Sequence, residues 1–523
     1  MTAPDCVVSA DEAVAQIADG ATIAITGSGG GILEAEAVLA AIERRFLKTG
    51  HPCDLTLVHA LGIGDGQAKG LNHLAYRGLV KRVIGGHWSW SPRMQQLAAD
   101  GDIEAYALPA GVIGALLRES GARRPGLFTR VGLGSFVDPR VDGGRLNSTA
   151  TEDLVTLAVI DGETYLHYQP LKVDVAIVRG SSADPTGNVS LEAEPALLDS
   201  DAVALSARGN DGFVIAQVKN LVEEGSLDPR HIHLPSTLVD AVVVDPDQWQ
   251  THAAEMDSSF YTSVSSRSSQ PQQSAVAPLD AKSIIARRAA LEAHPGTLIN
   301  VGFGMSSLVV DVLAAEGVLD QYGLVIEQGA VGGQPVSGAL FGVSRHPSAI
   351  LTSTRQFDFF GSRSLDICFL GMAEVDQAGN VNASKIGPMA VGPGGFIDIV
   401  HGSHRAVFCG PLTAKGLSVM AEDGRLRIEQ EGSVHKFIEH VNQITFSASQ
   451  ALTEGRQALF VTERAVFELT PSGIALVEVA DGIDIERDVI AHMDFEPFVG
   501  DVRPMPSEVF TSGPLLAAPR TIH

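Results

Sequence analysis

The sequence contains few cysteines, few aromatic residues and few basic residues for its length. Among 523 residues there are 4 cysteines, 6% aromatic residues, and 37 lysines and arginines against 62 aspartates and glutamates. The four cysteines have no paired spacing, which predicts free thiols and not a disulfide or zinc framework. The formal net charge of −25 argues against a nucleic-acid partner, because contacts to phosphate dominate that kind of affinity.

Long hydrophobic runs are also missing. The longest apolar stretch, near residues 105–117, is short and interrupted by Pro109, so we expect no membrane-spanning helix and no membrane partner. The N-terminus has no basic segment followed by an apolar one, which argues against a signal peptide. Together with free thiols, these features predict a cytoplasmic protein.

The composition is that of a folded protein with more than one domain. Hydrophobic residues make up 45% and charged residues 19% of the chain, and 523 residues exceed what one ordinary core accommodates. A predicted strand at 21–26, a glycine loop at 27–31 and an amphipathic helix at 33–47 form the start of a doubly wound α/β unit. The loop lacks the G-x-G-x-x-G pattern, so binding of a nicotinamide cofactor is not expected.

An internal repeat indicates two domains of one fold. Residues 173–190 align with residues 365–382, each with an acidic residue before an apolar strand and a second aspartate ten residues later. Such self-similarity predicts two similar open α/β domains and not a solenoid. A Ser-, Gln- and Pro-rich stretch separates them, giving predicted domains 1–256 and 279–523 with a linker at 257–278.

The stretch 323–338 contains the candidate catalytic group. An apolar run precedes Glu327, and a glycine-rich loop follows it. Strands of an α/β sheet deliver their last residues to the edge where ligands bind, and pockets form preferentially between domains. From its position alone, Glu327 could be a nucleophile, a general base, a metal ligand, a helix cap or an ordinary charged residue at a strand end.

Several motifs resemble the family I coenzyme A transferases. They are IEQGAVGGQP, QFDFF, LDICFLGMAEVDQAGNVN and VGPGGFIDIV in the C-terminal half, and GLGSFVDPRVDGGRLN in the N-terminal half. The likeness is strongest to the fused-chain type that includes propionate CoA-transferase and short-chain acyl-CoA:acetate (3-oxoacid) CoA-transferase. The resemblance implies a fold of two similar α/β domains and makes Glu327 the nucleophile.

The resemblance also implies the reaction. Glu327 would attack an acyl-CoA, pass through an acyl-glutamyl anhydride and form a glutamyl-CoA thioester, which a second carboxylic acid resolves by the reverse steps. Coenzyme A is then a substrate, and no metal or permanently bound cofactor is expected. We expect Glu327 to be ionised at pH 7, with nearby amides favouring the anion. A homo-oligomer, dimer or tetramer, is expected.

Further site residues follow from the same resemblance. Gly395, with Gly394, is expected to form the oxyanion site, although a simple tight turn is the alternative for this pair. Gly371 and Met372 are expected to line the channel for the thioester and pantetheine. Three basic residues are candidates for binding the CoA phosphates: Lys385, Arg405 and Lys415.

The acyl pocket is less defined by the sequence. Trp88 and Trp90 lie in a Gly/Ser/Pro-rich loop, where aromatic residues either cover a pocket or pack in the core. Ala110 occupies a position where relatives have a glutamine that touches the substrate. Two other functions stay open at this point, an acyl-CoA hydrolase that uses the same glutamate and a non-catalytic protein that binds CoA or a metabolite.

Overall fold

The computed structural model describes residues 6–263 and 279–516, so most of the predicted linker, residues 264–278, lies outside the described residues. Contacts divide the described chain into two compact units. The first comprises residues 6–263, 326–361 and 384–398, and the second comprises 279–325, 362–383 and 399–516. No helix in the described residues is long and apolar enough to cross a membrane.

The first unit contains a parallel sheet built from buried apolar strands. Its eight main strands are β1 (Val7–Val8), β2 (Thr22–Ile25), β3 (Leu55–His59), β4 (Val80–Gly85), β5 (Glu104–Ala107), β6 (Val175–Ala183), β7 (Phe213–Leu221) and β8 (Ala241–Val244). They are arranged in the order β1-β8-β7-β6-β2-β3-β4-β5. All nine residues of the central strand β6 are buried, as expected for a parallel sheet covered on both faces.

The second unit contains a mixed sheet. Its strands are β9 (Leu298–Val301), β10 (Gly323–Leu324), β11 (Leu365–Gly371), β12 (Ser403–Cys409), β13 (Gln457–Val461), β14 (Ala465–Thr470), β15 (Gly473–Val479) and β16 (Phe498–Pro504). Their order is β10-β9-β11-β12-β13-β14-β15-β16. The pairs from β10 to β13 are parallel, and β14 pairs antiparallel with both of its neighbours.

Ten α-helices cover the sheets and connect the strands. They are α1 (Ala10–Ala15), α2 (Glu36–Thr49), α3 (Pro92–Ala99), α4 (Ala110–Gly121), α5 (Ser200–Arg208), α6 (Ala281–Ala290), α7 (Leu308–Ala315), α8 (Ser353–Gly361), α9 (Phe396–Gly402) and α10 (Ala448–Thr453), counted over 6–263 and 279–516. Helix α1 begins with the capping box that Ser9 and Glu12 form, which satisfies two amide groups at its start.

The predicted repeat is confirmed by equivalent strand pairing in the two sheets. Strand β2 pairs with β6 so that Ile23 lies opposite Val175, and β9 pairs with β11 so that Ile299 lies opposite Ile367. The aspartate before each inner strand makes the same contact. Asp174 accepts a hydrogen bond from the Thr22 amide, and Asp366 accepts one from the Leu298 amide. The two units therefore share one α/β topology around these strands.

The compact units do not follow the order of the chain. Residues 326–361 and 384–398 follow the linker in sequence but belong to the first unit. One cause is a hydrogen bond between residues far apart in the sequence, in which the Ser353 amide donates to the Leu198 carbonyl at 2.8 Å. Glu327 therefore lies in the unit that contains the N-terminal sheet, and the sequence boundaries at 256 and 279 stay a prediction.

Candidate active site

A tight turn presents Glu327. The Ile326 amide donates to the Ala330 carbonyl at 3.0 Å, and the Gly329 amide donates to the Ile326 carbonyl at 2.9 Å. Gly329 has a φ of 115°, and a side chain there would overlap the Leu351 carbonyl oxygen. Only glycine fits this position, so the glycine after Gln328 is what allows the chain to turn and present the glutamate.

The loop with Gly394 and Gly395 is held by backbone hydrogen bonds within the first unit. The Gly394 amide donates to the Gly86 carbonyl, and the Ala110 amide donates to the Gly394 carbonyl, each at 2.8 Å. The Trp88 amide donates to the Val391 carbonyl at 2.8 Å. The loop is thus fixed between the end of β4 and the start of α4, which leaves the next amide, that of Gly395, at a defined position.

Glu327 and Gly395 are in direct contact. The Gly395 amide forms a hydrogen bond with the Glu327 carboxylate. A Cβ on Gly395 would overlap Glu327 Oε2 and would lie 2.9 Å from Cε1 of Phe357. The absence of a side chain at residue 395 therefore lets the backbone approach the carboxylate, and the aromatic ring closes the other side of this position.

Burial sets the charge state of Glu327. It raises the pKa of Glu327 from its ordinary 4.5 to about 7, while hydrogen bonds from Gln328 and from the Gly395 amide act in the opposite direction. Nε2 of Gln328 lies 3.3 Å from Glu327 Oε1 and 3.4 Å from Ser28 Oγ. The sequence predicts a carboxylate that is ionised at pH 7, but a pKa near 7 leaves about half of it protonated at that pH.

The two tryptophans of the 85–92 loop have different environments. Trp88 is 2% exposed, packs in the core of the first unit and donates from Nε1 to the Gly85 carbonyl at 3.2 Å. Trp90 is partly exposed, and its ring fills the space where side chains on Gly29 or Gly62 would lie. Their roles in an acyl pocket stay predictions, as does that of Ala110, which is buried as the first residue of α4.

Gly371 and Met372 belong to the second unit. Gly371 ends β11, and nothing lies within 4 Å of a Cβ built on it. Met372 is 5% exposed, and its carbonyl accepts a hydrogen bond from Lys436 Nζ at 2.7 Å. Among the candidate phosphate-binding residues, Arg405 is engaged in an ion pair with Glu292 at 2.7 Å.

Reasoning from the sequence did not single out Asp398, His87 and Phe357, which lie around Glu327, Gly394 and Gly395. Asp398 lies three residues after Gly395, and its carboxylate accepts a hydrogen bond from the Gly111 amide at 3.1 Å. Burial lowers the pKa of His87 to about 4, so its imidazole is neutral at pH 7, and its Cδ2 lies 3.6 Å from a Cβ built on Gly394. The only signal was their position inside motifs already noted.

Two groups of ligand-type side chains lie close together within the described residues. They are Asp19, His51 and Cys53, and Glu34, Glu36 and His252. In the second group each carboxylate already accepts hydrogen bonds, Glu34 from the Gly64 amide and Glu36 from the Gly70 amide. The expectation that no metal takes part stays a prediction.

Comparisons with known proteins identify the family of the chain. Residues 7–245 match the family model described as coenzyme A transferase. Acetate CoA-transferase YdiF of Escherichia coli (strain K12) is 40% identical over 94% of this chain and 92% of its own length. Caffeate CoA-transferase of Acetobacterium woodii is 38% identical over 96% of this chain and 97% of its own length.

Solved structures of one relative share the fold over nearly the full length of the chain. The crystal structure of the acyl-CoA transferase YdiF apoenzyme from Escherichia coli O157:H7 has a TM-score of 0.93 at 38% identity, covering 98% of both chains. A thioester complex of that protein with CoA has a TM-score of 0.92, covering 98% of this chain and 97% of that one. The fold and the relatives define a coenzyme A transferase. The chain belongs to the coenzyme A transferase family, of the type in which both halves are fused in one polypeptide, and it is a CoA-transferase with acyl-CoA as substrate.

Proposed function

We propose that this enzyme transfers coenzyme A from a short-chain acyl-CoA to a free carboxylic acid by a ping-pong mechanism through a glutamyl-CoA thioester on Glu327. The observation that carries the proposal is the contact between the Glu327 carboxylate and the Gly395 amide. A carboxylate that attacks a thioester needs a fixed position and a donor for the oxyanion that develops. A related chain described as a thioester complex with CoA supports the same chemistry.

The proposed first half-reaction has two steps. Glu327 attacks the thioester carbonyl, the oxyanion accepts the Gly395 N–H, and CoA leaves as a thiolate. The thiolate then attacks the glutamyl carbonyl of the anhydride and releases the acyl group as a free carboxylate. Binding of the CoA tail away from the reacting atoms would position the thiolate for this second attack. The second acid regenerates Glu327 by the same steps in reverse.

A panel of acyl-CoAs against carboxylic acids tests the proposal. New thioesters are measured by mass spectrometry, with and without each acceptor. A CoA-transferase forms new acyl-CoA only when an acceptor is added, whereas a hydrolase releases free CoA in water alone. Release of CoA at the same rate with and without every acceptor would favour the hydrolase. A non-catalytic CoA-binding protein would give neither product.

The pH dependence follows from the raised pKa of Glu327. The nucleophile must be the anion, and a pKa of about 7 gives an ionised fraction of about one tenth at pH 6 and about nine tenths at pH 8. Activity is therefore lost as the pH falls through 7. We expect kcat/KM for acyl-CoA, which reports the free enzyme, to rise about tenfold from pH 6 to pH 8. A kcat/KM that is constant down to pH 5.5 would show that Glu327 titrates at its ordinary value.

Gly371→Ala tests the predicted CoA channel. Residue 371 has no positive φ and no atom within 4 Å of a Cβ, so the protein itself accommodates alanine. If pantetheine passes this point, the methyl group should raise KM for acyl-CoA by about tenfold, a typical effect of one misplaced methyl group. Gly361→Ala, at a site equally free of neighbours, should leave KM unchanged. An unchanged KM in both variants would place the channel elsewhere.

Three other predictions accompany this function. No permanently bound cofactor is needed, because the nucleophile and the leaving thiolate are both anions supplied by the enzyme and the substrate. A homo-oligomer and a cytoplasmic location stay predictions from the sequence. Light scattering of the purified enzyme measures the oligomeric state directly, since a dimer or tetramer of 54.9 kDa chains is well separated in mass from a monomer.

A further inference from the structure

A second buried carboxyl group lies beside the nucleophile, and the proposed mechanism does not use it. Asp398 is 5% exposed and belongs to the first turn of α9. Its Oδ2 accepts a hydrogen bond from the Gly111 amide at 3.1 Å, at the start of α4. An aspartate in such a place usually pairs with a basic side chain, since burial of an unpaired charge is unfavourable.

The ring of Phe357 lies close to both carboxyl groups. A Cβ on Gly111 would lie 2.6 Å from Asp398 Oδ1 and 2.7 Å from Cγ of Phe357. The far edge of the same ring lies 2.9 Å from a Cβ built on Gly395, which itself would overlap the Glu327 carboxylate. Glu327 and Asp398 therefore both lie close to Phe357, and two like charges in a site with little solvent repel each other more strongly than in water.

The charged and titratable groups around the pair contain no counter-ion. Burial first, and then the charge of Glu327, raise the pKa of Asp398 to about 8, and the groups that lower it are backbone amides of α4 and α9. The groups that lower the pKa of Glu327 are Gln328 and the Gly395 amide. Tyr168 also faces Asp398, but its hydroxyl donates to the Val131 carbonyl at 2.8 Å. In the described residues, no cation is among these groups, and His87 beside Gly394 is neutral because burial lowers its pKa to about 4.

Two carboxyl groups in one site without a cation cannot both be ionised at low cost, so they titrate as a coupled pair. Glu327 has to be the anion in order to react. Conversion of Glu327 to a thioester removes its charge, and with it the part of the rise in the pKa of Asp398 that this charge causes, whereas burial, the larger cause, remains. The hydrogen bonds from the start of α4 then favour an ionised Asp398.

We propose that Asp398 is a functional partner of the nucleophile, which holds a proton while Glu327 is a free carboxylate and releases that proton when Glu327 becomes the thioester. This inference rests on the proposed function. In the balanced half-reaction, the acyl–sulfur bond of acyl-CoA breaks and a glutamyl–sulfur bond forms. One Glu327 oxygen leaves in the product carboxylate, and the Asp398 proton passes to solvent. The two side chains together carry one negative charge both before and after the thioester forms. The second acid reverses every step.

Proton release during the first half-reaction is the test. The enzyme is mixed with acyl-CoA and no acceptor in weak buffer at pH 8, a pH indicator records the proton burst, and intact-protein mass spectrometry counts the adduct. About half of Asp398 and about a tenth of Glu327 are protonated at that pH. We expect up to about 0.6 proton per adduct for the wild type, about 0.5 from Asp398 and about 0.1 from Glu327, and about 0.1 for Asp398→Asn. Hydrolysis is separated from this burst because it continues linearly.

Asp358→Asn is the matched control, because Asp358 is an exposed aspartate that pairs with Arg118 at 3.0 Å. It should release as many protons as the wild type. A wild-type burst of about 0.1 proton per adduct, or an equal burst from Asp398→Asn and the wild type, would overturn the inference. Absence of any adduct on Glu327 would instead contradict the proposed function, so the two failures are distinguishable.

Infrared difference spectra provide a second test that does not depend on the Asp398→Asn variant being folded. In the wild-type enzyme, adduct formation should remove the C=O band of one protonated carboxyl group. Labelling aspartate with ¹³C at the carboxyl carbon should shift that band, whereas labelling glutamate should not. A difference spectrum without a labelled aspartate band would contradict the role of Asp398 even if the adduct forms in full.

Discussion

Glu327→Gln is expected to abolish CoA transfer. The amide retains the size of the side chain and part of its hydrogen bonding, but it cannot act as a nucleophile. Removal of a covalent nucleophile typically lowers kcat by about 10⁴-fold or more, so no transfer should be detectable. The fold should be unaffected, because a half-buried side chain at the tip of a turn fills no core. Glu468→Gln, at an exposed position in β14, is the matched control and should keep full activity.

Trapping the intermediate identifies the residue. After incubation with acyl-CoA alone, borohydride should reduce the thioester at Glu327 to the alcohol, and hydroxylamine should convert it to a hydroxamate. Peptide mass spectrometry locates both products. Near-normal transfer by Glu327→Gln, or a label on a different residue, would contradict the assignment. The informative result is a label on Glu327 in the wild type that is lost, together with activity, in Glu327→Gln. If Glu327 only oriented the substrate, the variant would also lose activity, but the wild type would carry no label.

The fold was accessible from the sequence because it depends on local patterns that occur twice. The aspartates at 174 and 366 each precede an apolar strand, and each proves to bind the amide at the start of the neighbouring strand. The equal spacing of the two repeats in the sequence therefore corresponds to equivalent pairing of their strands in the two sheets. Glu327 was accessible through the resemblance of IEQGAVGGQP to a family motif, whereas its position between an apolar run and a glycine-rich loop left several roles open.

The family resemblance placed Gly395 at the site, but nothing in the sequence indicated that Phe357 lies beside it. Gly395 and Phe357 are separated from Glu327 by tens of residues, and the 391–395 loop is positioned by hydrogen bonds to Gly86 and Ala110. Such pairings follow from the tertiary fold and leave no periodic signal in the sequence. Glycine motifs indicate that a backbone turns or approaches something, but they do not identify what it approaches.

Charge states were the least predictable property. A sequence gives the ordinary pKa of a carboxyl group, whereas burial raises the pKa of Glu327 to about 7 and that of Asp398 to about 8. Burial depends on every element packed around the site. The aspartate at 398 was visible within a motif, but nothing in the sequence indicated that it lies beside the nucleophile without a basic partner.

Gly395→Ala is expected to lower kcat by about 10²- to 10³-fold, the usual effect of losing an oxyanion donor. The new methyl group would occupy the position of Glu327 Oε2 and would lie 2.9 Å from the Phe357 ring. The glutamate can rotate away, so the protein should fold while the nucleophile loses its place beside the amide. Steady-state kinetics measure the loss, and the yield of trapped thioester should fall in parallel.

Gly394→Ala separates this role from that of a simple tight turn. Gly394 has a φ of 51°, which disfavours alanine by about 1–2 kcal/mol, but the nearest atom to a Cβ there is 3.6 Å away. Gly395 has no positive φ. If the pair only forms a turn, Gly394→Ala should be the more damaging change and Gly395→Ala nearly silent. We expect Gly395→Ala to lower kcat more than Gly394→Ala, because the nucleophile occupies the space beside residue 395. Gly394→Ala should lower the melting temperature more, because the constraint at residue 394 is only conformational.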